Sequence, residues 1–186
     1  MQAFIPEDFL IIANKALQKL GVSRIESFDE GSEEAENCKL ALPFVLGYLF
    51  RSYDWRFANT STKLARFNDK KNGKYVFPLP ADCVYLRTNN QDSPWTLEGN
   101  YLLSDDNSPI EISYTKLVLN PDEWDAIFRE CIVLKLAIEI CDKLVESDAK
   151  KNLLLGEFER TITLAKARSG GEGPPIVLSK NVRQHR

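Results

Sequence analysis

The feature that most constrains the fold is an apolar run from residue 131 to residue 141, inside the longer segment 121–146. Only Lys135 and Glu139 are polar in this run, and because they are four residues apart they share one narrow face of a helix. A helix that is apolar on every other face is buried nearly all round, and the run is too long for one strand. We therefore predict that residues 121–146 form the central helix of a bundle, or a helix shared between the core and a neighbouring subunit.

Capping residues mark the ends of this helix and of three others. Asn120 suits the N-cap of the central helix, and Pro121 suits its first position, where a missing N–H costs nothing. Pro43 lies inside another helical segment, where it removes a backbone hydrogen bond and predicts a kink or a division into two short helices. The three other segments with helical spacing are 6–20, which Gly21 closes; 32–53, which Ser32 opens; and 147–168, which Ser147 or Asp148 opens.

Residues 60–118 have a different character, because Gly, Pro, Asn and Asp become common and short alternating runs appear. This part predicts strands at 74–79, 83–87, 95–97, 101–103 and 110–117, joined as a β-meander. The predicted fold class is α+β, an antiparallel bundle of about four helices with an inserted small antiparallel β-domain and an extended C-terminal arm. The predicted domains are 1–58 with 119–168 for the bundle, 59–118 for the β-domain and 169–186 for the arm.

The block DWRFA follows the second helix and carries two aromatic rings. Trp55 and Phe57 are two residues apart, which predicts an extended segment that places both rings on one side, as a plug under the bundle. Arg51 and Arg56 alternate with aromatic residues around them, a pattern that also grips single-stranded nucleic acid. The net charge of −3 argues against that alternative, a small nucleic-acid-binding accessory protein.

The composition narrows the class of protein further. With 186 residues, of which 44% are hydrophobic, the chain can bury a substantial core as one domain or as one domain with an insertion. No N-terminal signal is apparent and the apolar runs are too short to cross a bilayer, so we expect no membrane partner. The four cysteines form no CxxC pair, which indicates buried free thiols and folding inside the cell: Cys38, Cys83, Cys131 and Cys141.

The sequence offers little that points to catalysis. The single histidine, His185, lies near the C-terminus, and no phosphate-binding loop or zinc-ligand spacing occurs. Asp105, Asp106 and Asn107 are more typical of a hairpin turn than of a cation site. A hydrolase would need a carboxylate pair from Asp105, Asp106 or Glu98, and nothing in the sequence places two acids opposite each other. We expect no enzyme and no catalytic, cofactor-binding or metal-binding residues. An acidic cluster is interpreted as helix capping and a solvated face: Asp29, Glu30, Glu33 and Glu34.

The C-terminal end combines a Gly/Pro-rich linker, SGGEGPP, with an apolar triplet and a basic tail, IVLSKNVRQHR. Such a segment has no core of its own to join, so it is either disordered or docks on another molecule. The linker would supply reach and the triplet the anchor. The residues predicted to bind the partner are Pro174, Pro175, Ile176, Val177 and Leu178.

Several stretches, taken in order, resemble the tail tubular protein A family of short-tailed, T7-like phages, the head-to-tail adaptor proteins. They are ALQKLGVSRIESFDEGSEEAE, DWRFA, FPLPADCVYLR, LEGNYLLSDD, the helix at 121–146 and a closing EGPP, which together span about residues 14–175. The sequence departs from the family at Pro43, at Tyr53 and Asp54, where His-Pro is frequent, and in the tail after Pro175.

The resemblance implies a structural virion protein of the tail or neck, assembled in the host cytoplasm. Such proteins form rings, usually of twelve copies, between the portal protein and the tail nozzle protein, and double-stranded DNA passes through the centre without sequence-specific binding. A ring subunit needs apolar surface beyond its own core, and the 131–141 run is predicted to supply it. The candidate subunit-interface residues are Lys135, Glu139, Leu136 and Ile140.

Overall fold

The computed structural model describes residues 7–68, 70–89 and 94–171 and has an α+β fold. The four helices among these residues are α1 (Leu10–Leu20), α2 (Glu33–Ser52), α3 (Ala126–Leu144) and α4 (Asp148–Gly171). The strands are β1 (Asn59–Leu64), β2 (Lys70–Lys71), β3 (Lys74–Pro78), β4 (Cys83–Asn89), β5 (Trp95–Glu98), β6 (Tyr101–Ser104) and β7 (Ile110–Lys116). In the described part of the chain, no helix has both the length and the apolar character that crossing a membrane requires.

Helix α3 is the centre of the helical part, since α1, α2 and α4 all pack against it. Every residue from 131 to 141 is buried except Lys135 and Glu139, which confirms the predicted all-round burial. Phe50 of α2 contacts Phe128 near the start of α3, and Phe44 lies beside Glu139 near its end, so α2 and α3 are antiparallel. The protomer's own helices therefore bury the 131–141 run.

The start of α3 corrects the predicted cap. Asn120 opens only a 3-10 turn, where its side-chain oxygen accepts a hydrogen bond from the backbone N–H of Asp122. The chain then turns inward so that Trp124 is buried and donates its indole N–H to the carbonyl oxygen of Val118 at 2.9 Å. Helix α3 begins after that turn and is capped by Asp125, whose carboxylate accepts two backbone N–H bonds.

Helix α2 starts as predicted and then passes through its proline. The hydroxyl of Ser32 accepts a hydrogen bond from the N–H of Ala35, and the helix is continuous from residue 33 to residue 52. The alternative of two short helices is therefore wrong, whereas the alternative of a kink at Pro43 stays a prediction. The inward residues on both sides of the proline, including Leu42 and Val45, are fully packed in the core, and this burial outweighs the lost backbone hydrogen bond.

The strands form two antiparallel sheets, with the orders β1-β7-β4 and β2-β3-β6-β5, so the predicted meander is wrong. The β3, β4, β5, β6 and β7 predictions are confirmed within one or two residues, but β1 and β2 were not predicted. Strand β7 lies between β1 and β4, and its alternating apolar residues face the other sheet. The buried cluster between the sheets contains Leu64, Phe77, Leu102, Ile110, Ile112 and Tyr114. This cluster is separate from the apolar cluster among the helices. The domain boundaries given in the sequence analysis stay predictions.

The end of α4 corrects the predicted start of the arm. Residues 169–171 belong to the helix, although Ser-Gly-Gly was expected to exclude one. Ser169 is buried, and its hydroxyl accepts a hydrogen bond from the backbone N–H of Arg56 at 3.0 Å. This contact holds the last turn of α4 against the segment that follows α2. The arm residues 174–178 and His185 lie outside the described residues.

Candidate subunit interface

The largest side chains that α2 leaves exposed form a line along its outer surface. Leu40 is 69% exposed, Phe44 is 79% exposed and Tyr48 is 57% exposed, and each follows the previous one by four residues. Residues at this spacing lie above one another on a helix, so the three side chains make a continuous apolar ridge about 12 Å long. We call these three residues the α2 ridge. An exposed apolar surface of this kind is typical of a site that another molecule covers.

Two predicted interface residues of α3 lie beside the α2 ridge. Lys135 and Glu139 line a shallow depression together with Phe44 and Tyr48. The ammonium group of Lys135 donates a hydrogen bond to Glu139 at 2.5 Å and lies 5.2 Å from the centre of the Tyr48 ring. The pair therefore provides a polar border to the ridge and holds one of its rings by a cation–π contact.

The other two predicted interface residues require a correction. Leu136 has no exposed surface and Ile140 is 2% exposed, because both point into the helical core of the same protomer. Neither side chain has atoms available for a neighbouring subunit. The sequence reading attributed surplus apolar surface to α3, but in the folded chain that surface belongs to α2.

The predicted plug lies under the helices, although not as an extended segment. Trp55 precedes a 3-10 turn, Arg56–Ala58, and its ring is 1% exposed. Its indole N–H donates a 2.7 Å hydrogen bond to the carbonyl oxygen of Leu49, and its ring lies edge-on to Phe128 at 4.7 Å. Phe57 is partly buried, with its ring 4.9 Å from that of Phe128. Because the indole is enclosed, it offers no face on which a nucleotide base could stack.

The arginines near the plug connect the helices to the first sheet. Arg51 donates a 2.9 Å hydrogen bond to the carbonyl oxygen of Val84, and Arg87 donates one of 2.6 Å to the carbonyl oxygen of Tyr53. Their guanidinium groups lie 5.4 and 4.7 Å from the centre of the exposed Tyr85 ring. The sequence pattern missed Tyr85 and Arg87 because they follow Arg51 by more than thirty residues.

Two of the carboxylates that the sequence analysis names, Asp106 and Glu98, have structural partners. Asp106 accepts hydrogen bonds from the hydroxyl and then from the backbone N–H of Ser108, which hold the pKa of the Asp106 carboxyl below its usual range. Glu98 is paired with Lys71. Within the described ranges, no group of three His, Cys, Asp or Glu residues could hold a metal ion.

The acidic cluster contains a capped loop. Glu30 accepts hydrogen bonds from the hydroxyl of Ser32 and the backbone N–H groups of Glu26 and Ser27, in that order of effect, and they lower the pKa of the Glu30 carboxyl. Asp29 forms an ion pair with Lys39. These contacts fix the loop that leads into α2, as the capping interpretation expects.

All four cysteines are free thiols, and three are fully buried. Burial, followed by the charge of Glu34, raises the pKa of the Cys38 thiol to about 12. Burial also raises the pKa of Cys131 to about 12, with further contributions from Glu130 and Asp125. Thiols of this kind are poor nucleophiles, so they belong to the core and not to a reactive site.

The outer surface of α4 is a second partly apolar face, which the sequence reading missed. Leu153 is 65% exposed and Leu164 is 49% exposed, while Arg160 and Arg168 are exposed on the same side. Gly156 leaves a gap in this face, in which an added Cβ would meet only the Arg160 guanidinium at 3.7 Å. The sequence signal for this face is the Leu-Leu-Leu run at 153–155, because three consecutive leucines cannot all lie on the inward stripe of one helix. We call residues 156, 160, 164 and 168 the α4 stripe.

Comparison with known proteins assigns no function to these surfaces. No protein-family model matches the chain, and no curated protein matches it. The α2 ridge and the α4 stripe are therefore interpreted from their own chemistry. Large apolar side chains without cover, beside charged borders, are suited to contact with another protein surface.

Proposed function

We propose that the chain is a non-enzymatic structural protein of a phage virion, a ring-forming adaptor that joins the portal to the tail nozzle. The ring would surround the path of double-stranded DNA, and the C-terminal arm would bind the portal or another partner. In this proposal each subunit completes its surface by contact with the copies on either side of it. The residues assigned to the arm are Pro174, Pro175, Ile176, Val177 and Leu178.

The observation that carries the proposal is the uncovered α2 ridge. A subunit that works alone gains nothing from a line of three exposed large side chains, because each costs free energy in contact with water. In a ring of identical copies, every ridge can be covered by a neighbour. The Lys135–Glu139 pair beside the ridge then forms part of the polar border of the contact.

The order of the resembling stretches gives separate support. The stretch FPLPADCVYLR runs from β3 into β4, and LEGNYLLSDD forms the hairpin of β5 and β6. The block DWRFA lies under the helical core, where a family-wide sequence block has a packing reason to persist. The two β-stretches thus coincide with strands and the turns that join them.

The charge of the chain also suits a passage for DNA. A bore that lets DNA slide should not retain it through many phosphate contacts, and the net charge of −3 limits such contacts. The arm would add a connection to a partner, and repetition of even a weak contact around a ring would hold the partner firmly.

The test is electron microscopy of the purified protein, alone and mixed with portal protein, with portal alone as the control. The expected result is a ring of protein density on one face of the portal. A chain that remains a monomer under both conditions contradicts the proposal. Binding to nucleic acid in a filter assay at low salt, without any assembly, would favour the alternative accessory function.

A further inference from the structure

We infer that, in the free chain, the C-terminal arm folds back over the α2 ridge of its own protomer and runs antiparallel to α2. The apolar triplet at 176–178 would cover the ridge, and the basic tail behind it would lie beside the acidic start of α2. The occupant of the ridge is thus a named segment of this chain, residues 174–183. The inference rests on the proposed function for one step only, the release of the arm when portal protein binds.

The described part of the chain ends beside the C-terminal end of α2. The hydroxyl of Ser169 accepts a 3.0 Å hydrogen bond from the backbone N–H of Arg56, and a Cβ added at Gly170 would lie 2.9 Å from the hydroxyl oxygen of Tyr53. Tyr53 directly follows α2. The segment after α4 therefore starts close to the ridge, whose nearest residue, Tyr48, lies about 7.5 Å earlier along the α2 axis.

The directions of the helices determine how the arm can approach. Lys151 near the start of α4 forms an ion pair with Asp142 near the end of α3, so α4 is antiparallel to α3, as α2 is. Helices α2 and α4 thus run in the same direction, with their C-terminal ends at the same end of α3. An arm that reverses direction after α4 meets the ridge first at Tyr48 and last at Leu40.

The spacing of the arm matches that of the ridge. An extended chain advances about 3.3 Å per residue and a helix about 1.5 Å, so two residues of the arm span nearly the same length as four residues of α2. Alternate residues of an extended chain point to one side, as residues four apart do on a helix. If residue 172 starts at the level of Ser52, the facing pairs are Pro174 with Tyr48, Ile176 with Phe44, Leu178 with Leu40, and Lys180 with Glu36.

The charges along α2 favour the same direction. Glu33 and Glu36 are exposed near the start of α2, and neither takes part in the ion pairs among the described residues. Lys180 and Arg183 follow the apolar triplet, so the tail would bring cations to these carboxylates. Attraction between exposed charges directs the arm to this surface more than it strengthens the contact.

The outer face of α4 is a poorer site for the arm, although the arm begins nearer to it. Arg160 and Arg168 are exposed on that face and would repel the basic tail. Its exposed leucines, Leu153 and Leu164, are about 16 Å apart along the helix, whereas the triplet spans about 7 Å. The triplet can therefore cover only one of them.

In the setting of the proposed function, this contact would hide two apolar surfaces from water until assembly begins. When portal protein binds the arm, the ridge becomes available to the neighbouring copy. Such a contact has to be weak, because the portal must displace the arm. A ligand that binds only the released arm shifts the equilibrium toward release by mass action.

The decisive experiment measures disulfide formation between two cysteines introduced into the full chain. The α2 pair, Asn37→Cys with Ser179→Cys, joins the arm to α2 beside the ridge and alters no residue of the ridge or the triplet. The α4 pair, Thr163→Cys with Ser179→Cys, is the matched control, because Thr163 is exposed on α4. Position 163 lies nearer than position 37 to the start of the arm, so an arm without a docking site would reach it at least as often.

We expect the disulfide of the α2 pair to form at least about tenfold faster than that of the α4 pair, at a rate that does not depend on protein concentration. Circular dichroism first establishes that the variants are folded, and peptide mass mapping excludes disulfides that involve the native cysteines. Adding Ile176→Ser, Val177→Ser and Leu178→Ser should remove the difference between the pairs.

Two further measurements test the register and the release. In the α2 pair, Lys180→Glu should slow disulfide formation, and adding Glu36→Lys to it should restore the rate. Portal protein should also slow the α2 pair, because the arm is then bound elsewhere.

The other outcomes separate this inference from the proposed function. Equal rates for the two pairs overturn the inference, and a portal-bound ring formed by the same protein would still keep the proposed function. Disulfides that join two chains, at a rate that rises with concentration, also overturn it, because another copy's arm then covers the ridge. An α2 pair that stays fast while the chain is bound to portal supports the docking and rejects the arm as the portal anchor.

Discussion

Trp55 is the residue that joins the segment after α2 to the helical core. Its ring contacts those of Tyr53, Phe57 and Phe128, with centroids 4.7 to 6.4 Å apart. Its indole N–H donates a hydrogen bond to the carbonyl oxygen of Leu49 in the last turns of α2. One side chain thus fixes the end of a helix, the turn that follows and the start of α3.

The contribution of Trp55 to the free energy of unfolding can be measured by urea unfolding. We expect Trp55→Ala to lower the free energy of unfolding by about 3–5 kcal/mol, because a large ring is removed from a packed site. Trp55→Phe should cost less, since it keeps an aromatic ring and loses chiefly the N–H bond to Leu49. A near-neutral alanine variant would show that the ring is exposed in solution and would revive the stacking hypothesis.

Two adjacent glycines at the end of α4 differ in what a side chain would meet. A Cβ added at Gly170 would lie 2.9 Å from the hydroxyl oxygen of Tyr53, whereas one at Gly171 would meet nothing within 4 Å. We expect Gly171→Ala to be neutral or to stabilise by up to about 1 kcal/mol, through helix propensity. Gly170→Ala should be less stable than Gly171→Ala, because Tyr53 must move.

Differential scanning calorimetry checks this difference. For a chain of this length, each 1 kcal/mol corresponds to a shift of about 2–4 °C in Tm. If Gly170→Ala is as stable as Gly171→Ala, the last turn of α4 does not lie against Tyr53.

At the scale of elements, the sequence predicted the structure best where a residue pattern is compatible with only one local structure. The run in α3 could only be buried, and Gly21 closes α1 in the left-handed conformation that the C-cap requires. The N-cap of α3 was misplaced because Asn120 and Asp125 are both good caps, and the choice between them depends on where Trp124 is buried. Such a tertiary contact is not encoded in local propensity.

The sheets and the outer faces could not be predicted for a related reason. Strand alternation reveals which residues of β7 face a core, but not that β1 and β4 are its neighbours. The α4 stripe was missed because its outer face carries leucines as well as arginines, which obscures the contrast between inner and outer sides.

Three helices meet at one lysine, which gives the helical part a charge-dependent link. Lys19, near the end of α1, lies 2.9 Å from Glu130 of α3 and 2.7 Å from Glu157 of α4. Burial alone would lower the pKa of Lys19, but the hydrogen bonds to Glu157 and Glu130 outweigh it and the pKa is raised. A raised lysine pKa means that the folded state binds the proton more tightly than the unfolded chain does.

The stability from this link is present below the unfolded lysine pKa and is lost as the pH rises through the higher folded value. We expect Lys19→Met to lower the free energy of unfolding by up to about 1 kcal/mol at neutral pH, since the group is partly exposed to solvent. The difference from wild type should shrink above the folded pKa. Urea unfolding at neutral and strongly alkaline pH measures it, with Lys15→Met, on the same helix, as the control. A difference that does not change with pH would mean that packing, and not charge, is responsible.

At the scale of the whole molecule, the residues that form the interior differ from those proposed to contact other molecules. The described residues supply a complete interior, with one apolar cluster among the helices and another between the sheets. The α2 ridge and the α4 stripe lie outside both clusters. The arm proposed at 174–178 would be a third contact, beyond the described residues.

Removal of residues 174–186 therefore separates folding from assembly. Because the described members of both clusters lie before residue 172, we expect the truncated chain to keep its Tm within about 2 °C, less than a change of 1 kcal/mol would cause. Pull-down with portal protein should show weaker attachment, because burial of the apolar triplet is lost. A full-length variant with Ile176→Ser, Val177→Ser and Leu178→Ser keeps the basic tail and should lose attachment equally if the triplet is the anchor. If the truncated chain cannot fold, these residues belong to the interior and their assignment as an arm is wrong.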